Sequence, residues 1–349
     1  MAFRVRGTTL PDREYRTLVI DGDQVHLDDS STAELVHDGG WILPGLVDVH
    51  THPGSEHPDT EYNDANLRKH LIEHRDAGVL LIRAPGSVER VPAWVHQDPE
   101  LPRFESAGNW LCQAGMFFAG AGRPVALDQL ATAAVEEAKA SSGWCKIIGD
   151  WKPTDPAMPV EVLTEAVTAV HAAGGRVAVH AQTEQGCHNA VMAQADSLEH
   201  GMHLDHGLLD RMAAQGTALV PTLAGFEPIE QQLRTQEPSE FRTWLLGGCE
   251  TLPAVVRAAY EAGVTVLAGT DTVSFGRIAD EVNLLVKAGL PADVAVGAAS
   301  WTARDWLGFS GQICDGTPAD LVFYDEDPVV NTGVLGRPKR IILKGRVVT

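Results

Sequence analysis

Residues 43–54 read LPGLVDVHTHPG, an apolar run that ends in two histidines, His50 and His52, separated by one residue. Such a pair is either two ordinary loop residues or two ligands of a metal, and a metal site needs more ligands than two. The rest of the chain decides between them. From residue 42 onward short apolar runs alternate with helical patterns. ILPGLVDVH (42–50) is followed by a polar helical stretch ending in NLRKHLIEHRDAG, and GVLLIRAPG (78–86) reads as a second strand. A third lies within FESAGNWLCQAG (104–115), and a helical LDQLATAAVEEAKAS (127–141) feeds a fourth, WCKIIGD (144–150). After the helical VEVLTEAVTAVHAAGG (160–175) come RVAVHA (176–181), SLEHG (197–201), ALVPTL (218–223) and VTVLAGTDT (264–272).

Eight strands alternating with helices predict an α/β fold, a (β/α)8 TIM barrel, in which chemistry sits where the strands end and the βα loops begin. His50 and His52 fall at the end of strand one. Lys146 lies on strand four, His180 on five, His200 on six and Asp271 on eight. The ends of the chain differ: RTLVIDGDQVHL, ADLVFYD and RIILKGRVV alternate like exposed strands around Asp-Gly and Lys-Gly turns. Residues 1–44 and 310–349 are therefore expected to pair into a small β-domain, a sandwich beside a barrel over 45–309.

Composition narrows the function. A net charge of −20 opposes binding to nucleic-acid phosphates and to anionic membranes. No run approaches the roughly 18 apolar residues of a membrane span, and the first residues lack the apolar core of a secretory signal, so the expected location is the cytoplasm. Cys112, Cys145, Cys187, Cys249 and Cys314 are odd in number and dispersed, which predicts reduced thiols rather than a disulfide framework. The expected partner is a small-molecule substrate, and assembly into a homo-oligomer is left open.

With GLVDVHTH, WCKIIGD, VAVHA, SLEHG and LAGTDT in this order, and GTPADLVFYDEDP followed by ILKGRVV near the end, the chain resembles the amidohydrolase superfamily over nearly its whole length. Its imidazolonepropionase-like and prolidase-like members are the most similar. The resemblance implies that His50, His52 and Asp271 hold one divalent metal, that His180 and His200 hold a second, and that Lys146, carboxylated on its amine, bridges two zinc ions. It also implies a metal-held hydroxide as nucleophile, Asp271 as general acid and base, and hydrolysis of an amide-like, dipeptide-like or cyclic amide C–N bond. An ammonium cannot bind a cation, whereas a lysine carbamate offers two anionic oxygens. Were Lys146 unmodified, a one-metal aminohydrolase acting on a ring carbon would be the alternative. A non-catalytic scaffold would have no need of five strand ends supplying ligands.

Three side chains are candidates for the substrate: Arg123 in the segment after strand three, Trp151, beside Lys152 in GDWKPTD, and Phe226 after strand seven. An arginine there could clamp a carboxylate. His203 and His206 are read as supporting or surface residues, and His57, His70, His74, His171 and His188 as structural or exposed. The segment 227–250 is long for a loop and partly helical in pattern, in the manner of a lid.

Overall fold

The computed structural model describes residues 2–28, 31–55, 62–118 and 120–348. The opening stretch joins two structures. Its first residues end the strand Glu34–Pro44, and its next form the short strand Leu46–Asp48 that begins the barrel. Leu46–Asp48 pairs in parallel with Val79–Ala84, which pairs with Arg103–Ser106. The third strand is broken: Arg103–Ser106 completes the ladder to strand two, and Trp110–Gln113 begins the ladder to strand four, Trp144–Ile148. Gly108 lies in the break at φ 68°, where an added side chain would strike Glu137. Arg176–Ala181, Ser197–His200 and Ala218–Val220 follow in parallel.

Closure comes from residues 265–271, which form no regular strand. Leu219 N–H donates to the Thr265 carbonyl at 2.9 Å, and Val49 N–H to that of Ala268 at 3.0 Å. Asp271 N–H donates to the His50 carbonyl at 2.8 Å, so the last strand is laid directly on the first. Gly269 permits that approach, since a Cβ there would lie 2.5 Å from His50 Cβ. The helices cover this barrel with apolar stripes. Val160–Ala172 buries Leu163, Ala166, Val167 and Val170, the i, i+3, i+4, i+7 face of a surface helix. Each large aliphatic side chain so buried contributes about 1.5–3 kcal/mol. The segment expected as a partly helical insertion is helical in most of its length, within Leu223–Arg234 and Glu240–Glu261.

The two ends of the chain meet in one sheet of seven strands. Glu34–Pro44 pairs in parallel with Phe3–Thr9 and antiparallel with Leu321–Tyr324. The sheet curls until its edges touch: Val25 N–H donates to the Thr317 carbonyl at 2.8 Å, and Gly345 packs on the Gly22 carbonyl. The enclosed core includes Val5, Leu18, Ile20, Val25, Phe323 and Ile342. The two layers expected of a sandwich are thus one continuous sheet folded over its own core. All five cysteines are free thiols, only Cys314 being exposed. Among the described residues no helix is long and apolar enough to cross a membrane.

Candidate metal centre and active site

Six side chains named from the sequence converge on one cavity of about 170 Å³ at the ends of the barrel strands: His50, His52, Lys146, His180, His200 and Asp271. The donor atoms of His50, His52 and Asp271 lie within 4.8 Å of one another. Nε2 of His52 is 3.4 Å from Asp271 Oδ1, and Nε2 of His50 is 3.8 Å from it. The rings of His180 and His200 are 4.6 Å apart, with His200 5.0 Å from His50. The backbone is strained at this place. His200 (φ 73°), Thr222 (φ 51°), Asp271 (φ 47°) and Phe117 (φ 76°), all on the cavity, are four of the seven non-glycine residues with positive φ among the described residues. Such conformations cost about 1–3 kcal/mol each and gather at functional sites.

Three of the four imidazoles are oriented by a bond to one ring nitrogen. His50 Nδ1–H donates to Glu199 Oε2 at 2.6 Å, and His52 Nδ1–H donates to the Gly86 carbonyl at 2.8 Å. His200 Nδ1 bonds Thr222 Oγ1 at 2.8 Å. Nε2 of His50 and of His52 is thereby left as a lone pair for a ligand. Burial, reinforced by the charge of Lys146, lowers His52 to about 3 and His50 and His180 well below the ordinary histidine range; His200 is likewise lowered, by burial first. Neutral imidazole is the form that binds metal. Burial also lowers the Lys146 ammonium to about 8 and raises the Asp271 carboxyl to about 7.

Two of these buried groups lack any hydrogen-bond partner, Lys146 Nζ and His180 Nε2. An orphaned buried polar atom costs about 1–3 kcal/mol. Asp150 Oδ1 lies 4.0 Å from His180 Nε2, but its carboxylate already accepts the amides of Gln182 and Thr183 and the Thr183 hydroxyl. A divalent cation fits this donor set: four neutral imidazoles, one carboxylate, and a lysine that becomes an anionic ligand once carboxylated.

Of the substrate candidates, Trp151 and Phe226 line the cavity, their rings 5.8 Å from His180 and 5.6 Å from His200. Arg123 does not line it. Its guanidinium is held by Glu137 at 3.0 Å and Glu136 at 2.6 Å on the following helix, Leu130–Lys139, so the expected carboxylate clamp is already spent on acids of the chain itself. Lys152 is exposed and off the lining. His203 stacks on Trp244 at 5.0 Å and His206 is exposed, both away from the cavity. His70 and His74 are buried, His171 pairs with Asp196 at 2.8 Å, His188 is exposed, and His57 lies outside the described residues.

Sequence reasoning missed the residues beneath the site. Arg83 donates to Glu199 Oε1 at 2.8 Å, so one buried carboxylate joins an arginine to His50. Burial alone would raise that carboxyl, but Arg83, Lys146 and His50 hold it well below the usual range. Asp48 accepts from the Thr270 hydroxyl at 2.7 Å and from the amides of His50 and Thr270, pinning strand one to strand eight. The signal was present in LLIRA, SLEHG and VDVH: a charge inside an otherwise apolar strand requires a buried partner.

The closed barrel, the sheet built from both termini and this cluster define a class of hydrolase. Residues 41–348 match the Amidohydrolase family, and the chain belongs to that family. It is a hydrolase acting on carbon–nitrogen bonds, in a family for which dependence on a metal is characteristic. An uncharacterized protein of Mycobacterium tuberculosis is 38% identical over 357 residues, covering 98% of this chain and 94% of that protein. Ochratoxinase of Aspergillus niger is 27% identical over 170 residues, 47% of this chain and 35% of the enzyme. Its crystal structure matches with a TM-score of 0.83 over 99% of this chain and 95% of that one, at 20% identity. A Xaa-Pro dipeptidase with methionine bound in its active site matches at 0.85, covering 99% of both chains at 21% identity. These structural likenesses show the shared fold.

Proposed function

We propose that the chain is a metal-dependent amidohydrolase that cleaves an amide-like C–N bond in a small molecule, with two divalent ions, zinc or one of similar chemistry. One observation carries the reading: three donor groups within 4.8 Å share a cavity with two orphaned buried polar atoms. His50, His52 and Asp271 would hold one ion, His180 and His200 the other, and Lys146, as its carbamate, would bridge them. When bound, the ions supply a water of lowered pKa and polarise the carbonyl to be attacked.

The protein's own groups do the rest. Asp271 is the one acid on the lining among the described residues, and its side chain is 32% exposed to the cavity, whereas Glu199 and Asp48 are sealed off. It can therefore accept the proton of the attacking water and return it to the leaving nitrogen. Glu199, Gly86 and Thr222 hold three imidazoles in one orientation, and the first two also fix the Nδ1–H tautomer of His50 and His52. The aromatic side chains of the lining keep bulk water from the bond being cut.

Elemental analysis of protein expressed with bicarbonate and purified without chelator tests this. Two ions per chain are expected, together with turnover of an amide panel that disappears in Asp271→Asn while circular dichroism is unchanged. One ion per chain would replace the bridged pair with a one-metal aminohydrolase. No ion after reconstitution, or full activity in Asp271→Asn, would refute the assignment.

A further inference from the structure

We infer that this cavity takes a small, uncharged, single-ring aromatic amide and discriminates against substrates that carry a free carboxylate, an inference that rests on the hydrolase reading above. The walls carry it. Trp110, on the third strand, touches Phe117 with ring centres 5.3 Å apart, and Phe117 touches Trp151 at 5.0 Å. Phe118 adds a 4.6 Å contact to Trp151. The four rings form one aromatic wall that runs from His52, 5.1 Å from Trp110, to His180, 5.8 Å from Trp151. Phe117 is at its centre and adopts a φ of 76°, a backbone conformation unfavourable to a bulky residue, which its loop maintains with the ring turned to the wall.

Phe226 and Ile229 line the same cavity from the helix after strand seven. In a closed barrel of eight strands, positions three and seven lie across from each other, so an apolar face meets the aromatic wall. The space of about 170 Å³ compares with the roughly 150 Å³ that suffices for benzene. A flat ring is the shape that such walls accept, by offset or edge-on contact.

Charge is what the walls lack. Among the described residues on the lining, Lys146 is the one lysine or arginine, and it sits on the floor with the histidines at the bond to be cut. Asp271 lies with them as the one acid, and the other polar side chains among these residues are Gln182 and Thr222, neither of them charged. Arg123 is committed to Glu136 and Glu137. A carboxylate beyond the scissile bond would lose its hydration against Trp151 and Phe117 without a cation in return, whereas a carboxamide of the same size surrenders far less.

The test uses metal-loaded protein and a matched pair. Benzoylglycinamide and benzoylglycine share the bond to be cut, whose hydrolysis gives benzoate and either glycinamide or glycine, and they differ in the distal charge. The neutral member is expected to show a kcat/KM at least ten-fold higher and a calorimetric Kd at least ten-fold lower. Trp151→Ala should cost the neutral substrate about ten-fold, chiefly in KM and with metal content unchanged, and Phe226→Leu gives the same readout should Trp151→Ala fail to fold. Equal or reversed preference overturns the inference, as does benzoylglycine binding that Lys152→Ala abolishes. Metal-dependent cleavage of acetylglycinamide with neither benzoyl compound cut or bound also overturns it, while leaving the hydrolase reading intact. Binding of the neutral member with the expected selectivity, but cleavage of no amide at full metal content, sustains the pocket chemistry and sinks the hydrolase reading instead.

Discussion

Beneath the metal-ligating groups, Arg83 donates to the Val49 carbonyl at 2.7 Å, to Ser197 Oγ at 3.1 Å and to Glu199 Oε1 at 2.8 Å. Its guanidinium lies 4.8 Å from the ring centre of Trp144 and 5.2 Å from that of Trp306, and Arg176 stacks on the same two rings at 4.2 and 4.1 Å. Just above, Lys146 Nζ and His180 Nε2 are equally buried and meet no partner. Glu199 belongs to both regions, with one oxygen on Arg83 and the other on His50. The lower cluster is complete within the chain, so its charges are structural. The upper one is finished only by something from outside, because buried polar groups in folded proteins are otherwise satisfied.

The largest effect that would break this contrast concerns Lys146. Lys146→Met is expected to abolish turnover and bound metal, yet to leave the unfolding free energy of the metal-free protein within about 1 kcal/mol of the original, since removing an orphaned group removes its desolvation penalty. Urea unfolding after chelation checks it; a large loss would mean that the lysine is satisfied after all. Arg83→Met should act in the opposite way, destabilising the fold by about 3–5 kcal/mol because it strips a buried carboxylate of a partner. A loss under about 1 kcal/mol would place the two clusters on the same footing. Thr222→Val then sharpens the boundary between them. It removes the hydroxyl that fixes His200 Nδ1 and should weaken metal binding about 10–100-fold, read by chelator competition, with little change in urea midpoint.

The upper cluster was legible in the sequence because its members lie on, or just after, the apolar runs that build the barrel, and those runs can be counted from alternating apolar and helical patterns. Strand eight was also placed correctly in the chain, although Gly269 and the polar GTDT leave it bound to its neighbours by single hydrogen bonds rather than by a ladder. What could not be read was pairing across the barrel. Glu199 lies 149 residues from His50 and 116 from Arg83, and no periodicity reports such a distance. Arg123 failed for a related reason. Its place after strand three was right, but the side chain's direction was decided by Glu136 and Glu137 one helix later. Of the aromatic wall the sequence reading named Trp151 alone, since Phe117 and Phe118 sit in a loop whose path only the folded chain fixes and the direction of Trp110 depends on them.

His74 sets the limit of the rule that an orphaned atom marks a ligand. It is fully buried, its Nε2 lies 3.2 Å from Thr51 Oγ1, and its Nδ1 has no partner, yet it is not on the cavity. The resolution is that an unprotonated ring nitrogen is a weak acceptor that tolerates apolar surroundings, whereas an ammonium is not. Burial holds this imidazole at about 3 against an ordinary 6.5. The unfolded chain therefore takes up the proton first as pH falls. The stability due to His74 is complete above about pH 6.5 and drains away below it, at about 1.4 kcal/mol per pH unit. His74→Gln carries no such proton, so between pH 6 and 4 the metal-free original protein should lose about that much more per unit than the variant in urea unfolding. Equal slopes would show that the folded protein holds the charged imidazole, and Nδ1–H would then be a donor in need of a partner, as much in want of a ligand as Lys146.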